Sequence, residues 1–207
     1  TEKFIELCKK VRIPYFIFPS STSVYGTSTD VVYEDDDSVV NPQSPYAETK
    51  IGIENLLKNQ SDISYLILRF GTIFGQSIGM RFHTAINKFC YEVSLGKPLT
   101  IWKQNYEQVR PYLGLDDAVR SIIHFLNNSQ CFNQTYNVIS GNYKLSDVVK
   151  SIEKVAGKVD LNMVDTPLLN QFSYDVNDEK VRKTGFESKD KLEVSVRETL
   201  KLLDNLK

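Results

Sequence analysis

Pro14-Tyr15-Phe16-Ile17-Phe18-Pro19-Ser20-Ser21-Thr22-Ser23 is the stretch on which the fold turns. Residues 14–18 are a short apolar run, the signature of a strand buried on both faces of a parallel sheet. The run ends in a cluster of hydroxyl side chains, followed by Val24-Tyr25-Gly26. In open α/β sheets, ligands sit beyond the carboxyl ends of strands, so this cluster is placed to meet a substrate. The same composition also suits a plain Ser/Thr-rich turn at a strand end. Upstream, Phe4, Ile5, Leu7, Cys8 and Val11 fall at helical spacing. Downstream, residues 27–43 read as a loop. Its run Asp35-Asp36-Asp37 reads as solvated surface and not as a metal site.

The loop closes at Ser44-Pro45-Tyr46-Ala47-Glu48-Thr49-Lys50, which reads as a helix start. Ser44 can cap free backbone N–H groups, and Pro45 suits the first helical position. Tyr46 and Lys50 are four residues apart and share one helix face. A free tyrosine has a pKa of roughly 10, too high for a base at neutral pH. A cation one turn away stabilises the phenolate, so such a tyrosine could exchange a proton with a sugar or alcohol hydroxyl. The spacing alone also fits an ordinary surface helix.

The helix runs to about Lys58, and a second buried strand follows at 65–70. Gly71, Gly75 and Gly79 punctuate a loop whose spacing is not that of the Gly-x-Gly-x-x-Gly phosphate turn. Residues 82–95 predict an amphipathic helix and 99–102 a strand. Asp116 and Asp117 open a helix to about residue 127, acidic residues suiting its positive end. A strand at 135–139, a turn at 140–142, and helices at 145–156 and 192–206 complete the chain. Strands alternating with helices predict an α/β fold.

Composition narrows the classes. The 207 residues are 41% hydrophobic and 25% charged, as in ordinary globular proteins. A net charge of −1 favours neither nucleic acid nor an anionic membrane. No apolar run approaches the ~20 residues that span a bilayer. The first residues show no signal-peptide pattern, so none is expected. The three scattered cysteines and two histidines offer no zinc-ligand spacing, so no metal is expected and a reduced cytoplasmic setting is. Residue 1 is Thr rather than Met, so the chain reads as a piece of something longer.

Four motifs in order carry a resemblance. They are Phe16-Ile17-Phe18 with Ser20 through Gly26, then Ser44 through Lys50, then Leu68-Arg69-Phe70-Gly71-Thr72-Ile73-Phe74-Gly75, then Arg110-Pro111-Tyr112-Leu113-Gly114-Leu115-Asp116-Asp117. Together, over nearly the whole chain, they resemble the extended short-chain dehydrogenase/reductase superfamily in its NAD-dependent epimerase/dehydratase branch. The resemblance implies a Rossmann-like parallel sheet with a smaller α/β substrate-binding portion. It divides the chain at 1–70 and 108–140 on the cofactor side, and 71–107 and 141–207 on the substrate side. It implies a nucleotide-diphosphate sugar as substrate and NAD as cofactor, NADP remaining open.

The resemblance also implies roles. Tyr46 is then the general acid/base on the sugar C4 hydroxyl. Lys50 holds the nicotinamide ribose and lowers the tyrosine's pKa, and Ser21 relays the proton. Ser20, Phe70 and Gly71 join Tyr46 and Lys50 at the cofactor. Thr22, Thr72, Arg81 and Asn87 fall in the substrate region. Thr100 and Trp102 lie on the strand that holds the nucleotide base, plain core packing being the alternative for Trp102. Arg110 pairs with the diphosphate, a task guanidinium geometry suits; its alternative is an ion pair with Asp116 or Asp117.

Two departures from the family pattern shape the expectation. The glycine-rich turn of the dinucleotide fingerprint is missing, so roughly the first hundred residues of the usual protein are expected to be absent. The chain is then a fragment, or a separate polypeptide supplies the first half, or it binds no cofactor; half a sheet would also leave an apolar edge, predicting pairing with another chain or marginal solubility alone. The resemblance also implies a homodimer through residues 2–10 and 45–58. Second, Ser21, Thr22 and Ser23 stand where sugar 4,6-dehydratases read Thr-Asp-Glu, so both carboxylates are missing. An epimerase that oxidises and re-reduces C4 needs only the Ser-Tyr-Lys set. A nucleotide-4-ketohexose reductase of the same branch needs the same set, and a non-catalytic sugar-nucleotide binder remains a third reading.

Overall fold

The buried run at the start becomes the edge of a parallel sheet because its neighbours in space are equally apolar. The computed structural model describes residues 2–165 and 174–204. In chain order the elements are α1 (Glu2–Lys10), β1 (Tyr15–Ser21), α2 (Pro45–Lys58), β2 (Ser64–Phe70) and β3 (Thr72–Phe74). Next come α3 (Ala85–Ser94), β4 (Leu99–Trp102), β5 (Val109–Gly114), α4 (Leu115–Leu126), β6 (Gln134–Val138) and β7 (Gly141–Lys144). The last are α5 (Leu145–Ala156), β8 (Leu161–Val164), α6 (Glu179–Lys183) and α7 (Leu192–Asp204).

The main sheet has the order β1-β2-β6, all parallel. Leu66, Ile67 and Leu68 of the central strand are fully buried. Each such side chain contributes roughly 1.5–3 kcal/mol by leaving water. One face of the sheet is covered by α1 and α2, through Ile5, Cys8 and Leu57 against Phe18 and Ile67. The other is covered by α4 and α6, through Ala118, Phe125 and Val181 against Leu66, Leu68 and Phe70. Two smaller sheets, β3-β5-β7 and β4-β8, lie with α3, α5 and α7 around a third apolar cluster.

The α/β expectation holds, and α2 and α5 have the expected bounds. The structure moves other boundaries for local reasons. Ser20 and Ser21, readable either as the ligand-facing end of the first strand or as a turn, are its last two residues, because they pair with Arg69 and Phe70 of β2. The helix expected at 82–95 starts at Ala85; Phe82 lies before it and packs its ring 4.7 Å from Tyr91. Gly141, expected in a turn, begins a strand antiparallel to β5. The expected end of the last helix at 206 lies outside the described residues. Among the described residues β1 pairs with β2 alone, so its other edge is open, and Tyr15 there is 49% exposed.

Candidate active site

Strand β1 delivers Ser20 and Ser21 to the carboxyl edge of the sheet, and a single 3-10 turn over Thr22–Tyr25 follows. Ser21 caps that turn, its Oγ accepting from Ser23 N at 3.2 Å. Gly26 ends it with φ +67°, and a Cβ there would lie 2.2 Å from the Asn41 carbonyl oxygen. Only glycine fits that position without strain.

Helix α2 starts as its residues dictate: Ser44 Oγ accepts from Ala47 N at 3.2 Å and Pro45 follows. Tyr46 is 58% exposed on the first turn. Lys50, one turn on, places its Nζ 5.6 Å from the Tyr46 ring centre and 4.9 Å from that of Phe18. It donates to the Pro19 carbonyl oxygen at 2.7 Å. Partial burial holds the Lys50 pKa below the usual lysine value, with the nearby Glu54 carboxylate opposing.

These groups face a cavity of about 770 Å³ at the carboxyl end of the sheet, where an open α/β fold binds its ligand. Ser20, Ser21, Thr22, Tyr46, Lys50, Phe70, Gly71, Thr72, Arg81, Asn87 and Arg110 all line it. A second cavity of about 400 Å³ takes in Thr100 and Trp102 and shares Thr72, His83, Thr84 and Arg110 with the first. The two cavities therefore meet at Arg110. Every residue that the resemblance gives a role at the cofactor or substrate borders one or the other.

Their side chains are not equally available. Ser20 Oγ donates to Glu54 Oε1 at 2.5 Å, so this hydroxyl is committed. Thr22 Oγ1 donates to the Phe70 carbonyl at 3.3 Å and lies 3.4 Å from the Tyr174 hydroxyl. Asn87 is buried, and its amide clasps the Gly75 backbone through bonds of 3.2 and 3.5 Å. It shapes the loop at the cavity wall. Arg81 is exposed at the rim. Trp102 is 42% exposed, which excludes plain core packing. Among the described residues no ion pair joins Arg110 to Asp116 or Asp117. The Asp117 carboxylate is taken by Arg120 and by the N–H groups of Lys189 and Asp190.

Other residues join the site. Ser23 Oγ and Thr84 Oγ1 are buried without a hydrogen-bond partner among the described residues, and both residues border the larger cavity. Gln108 Oε1 is likewise unpartnered, beside the smaller one. Buried polar atoms normally find partners, so these three are places where a ligand would bond. Ser23 was legible as part of the hydroxyl run. Thr84, Gln108 and Tyr174 carry no local signal, because only the packing of distant segments brings them there. Among the described residues no group of His, Cys, Asp and Glu could hold a metal ion, and no helix is long and apolar enough to cross a membrane.

A family model described as NAD dependent epimerase/dehydratase family matches residues 1–138. The chain belongs to that family. Among its relatives, an uncharacterized UDP-glucose epimerase, YtcB, of Bacillus subtilis is 33% identical over 164 residues, covering 76% of this chain and 49% of the relative. UDP-glucuronate 4-epimerase 1 of Arabidopsis thaliana is 31% identical over 131 residues, or 60% of this chain and 30% of that protein. The chain thus spans about half or less of these relatives' length. Among solved structures, the UDP-N-acetylglucosamine 4-epimerase of Methanobrevibacter ruminantium, in complex with UDP-N-acetylmuramic acid, superposes with a TM-score of 0.87. It is 25% identical, and the match covers 100% of this chain and 68% of that one. The UDP-glucuronic acid 4-epimerase of Bacillus cereus, in complex with NAD, gives 0.85 at 25% identity, covering 99% and 66%. The family and the Rossmann-like fold are thereby established.

Proposed function

We propose that these residues form the acid–base and sugar-nucleotide-binding part of an NAD-dependent nucleotide-sugar 4-epimerase. One observation carries the reading. Tyr46, Lys50 and Ser21 border one cavity whose lining contains hydroxyls and cations but no carboxylate. An elimination of water from the sugar wants a positioned carboxylate; proton exchange at a C4 hydroxyl does not. Tyr46 takes the hydroxyl proton as general base and returns it later, with Ser21 bridging phenol and sugar. Lys50 stabilises the phenolate. Arg110, where the two cavities meet, pairs with the diphosphate, while Thr100, Trp102 and Gln108 meet the base in the smaller cavity.

The donor set fits the nicotinamide end of NAD: an ammonium, a phenol and hydroxyls, with Phe70 as an apolar wall. When bound, NAD would accept and return the hydride at C4. The 207 residues contain no glycine-rich turn for its diphosphate. The division into a cofactor side, 1–70 and 108–140, and a sugar side, 71–107 and 141–207, belongs to this proposal. So does a homodimer through α1 and α2. Phe4, Leu7 and Val11 of the α1 segment are exposed on one side, and a Cβ at Gly52 of α2 would meet nothing within 4 Å.

The whole protein is to be incubated with NAD and a panel of UDP-sugars, and the C4 epimers separated. Interconversion without net change in NADH is expected, and Tyr46→Phe should lower kcat by a factor of about 10² or more. Full turnover by Tyr46→Phe would sink the assignment. Net consumption of NAD(P)H would select the reductase reading, which the same carboxylate-free cavity fits.

A further inference from the structure

Below the cavity, and reaching its lining only at Ser20, lies a buried polar row that the acid–base proposal does not use. Ser20, Arg69 and Asn137 are cross-strand neighbours in β1, β2 and β6. The next position along each strand is Ser21, Phe70 and Val138, two of which border the cavity. Arg69 is fully buried, and Glu54 of α2, also fully buried, reaches down onto it. Arg69 Nη2 donates to Glu54 Oε2 at 2.7 Å, and its Nε lies 3.1 and 3.2 Å from the two carboxylate oxygens. Ser20 Oγ donates to the same carboxylate. On the far side Arg69 Nη1 donates to the Tyr25 hydroxyl at 2.9 Å. That hydroxyl donates to Asn137 Oδ1 at 2.7 Å. Glu34 closes the row by accepting from Asn137 N and Nδ2, each at 3.1 Å.

The pair has a second geometric property. Tyr46, Lys50 and Glu54 are spaced by four and four, so they form one stripe down α2. Along it the chain goes from exposed Tyr46, through half-buried Lys50, to Glu54 with no exposed surface. The apolar contacts of Ile53, Leu56 and Leu57 hold α2 against the sheet, but such contacts are non-directional. A bidentate ion pair in a dry site is directional. A slip of one residue moves the helix about 1.5 Å and turns it about 100°. Either motion would strand two buried charges, each costing several kcal/mol.

We infer that Glu54, held by Arg69 and Ser20, is a positioning residue that sets the height and rotation of α2 and so aims Tyr46 and Lys50 into the cavity. The inference rests on Tyr46 and Lys50 being the acid–base pair. It adds that the pair's geometry is set from below the floor, by a residue that touches no substrate.

The test is the double variant Glu54→Leu with Arg69→Met in the whole protein. Replacing a buried ion pair by apolar side chains of similar volume often leaves stability unchanged or raised. The melting temperature is therefore expected to hold. The expected result is a loss of kcat of about tenfold to hundredfold, the scale of an ångström-sized misplacement, with KM within about twofold. In parallel, the Tyr46 ring, two turns from Glu54, is followed by NMR, assigned through Tyr46→Phe, and its resonances are expected to move; Lys50 is not used, because loss of the nearby Glu54 charge would by itself shift its signal. A folded double variant with wild-type kcat and unmoved Tyr46 resonances would overturn the inference. So would a change confined to KM. If the double variant does not fold, Glu54→Gln and Glu54→Asp carry the same two readouts; Asp, which keeps the charge, should retain more kcat than Gln. Should the wild-type protein turn over no UDP-sugar, the epimerase reading falls, and the Tyr46 resonances alone decide the role of Glu54.

Discussion

Lys50 shows how much one side chain can be asked to do. Its ammonium is within reach of the Pro19 carbonyl, the Phe18 ring and the Tyr46 ring at once. Lys50→Met keeps the stem and removes the charge, so it should lower kcat at least as far as Tyr46→Phe while leaving the melting temperature within a few degrees. Steady-state kinetics beside a thermal scan would check this. Gly26 is the other informative residue. With φ +67° and a neighbouring carbonyl oxygen where a Cβ would go, Gly26→Ala should cost more than about 1 kcal/mol. In a chain of this size that is a fall of roughly 2–4 °C or more in Tm. An unchanged Tm would mean that the turn after β1 relaxes freely.

Among the elements, α2 has a local start and a tertiary setting. Its cap is local: Ser44→Ala should cost about 1 kcal/mol, read by denaturant titration. Its rotation is set from a distance, by Glu54 on Arg69. The start was legible because capping chemistry is confined to neighbouring residues. The function of Glu54 was not, because nothing near position 54 announces an arginine fifteen residues on. The same contrast holds for β1. Its apolar residues announced a strand, while its two terminal serines fitted a strand end and a turn equally until β2 supplied their partners.

Across the whole molecule, the three cysteines illustrate how burial governs reactivity. Cys8, Cys90 and Cys131 are all buried and free, and burial pushes the Cys90 thiol up to about 12. None should react with a thiol reagent in the native protein, and all three should react once it is unfolded; rapid native labelling would contradict the packing. The proposed dimer is a property of the same scale. Leu7→Lys, on the exposed side of α1, should shift the mass seen by light scattering from dimer to monomer without lowering Tm.

By itself the sequence determined the α/β class, the shared face of Tyr46 and Lys50 on α2 and the hydroxyl end of β1, because those rest on spacing, capping and local composition. Tertiary structure alone decided that Arg110 joins two cavities, that Trp102 stands at a rim and not in a core, and that Thr84, Gln108 and Tyr174 belong to the site. It alone placed Glu54 on Arg69. Each of these depends on which strands lie side by side, and parallel pairing brings together residues whose separation along the chain leaves no local trace.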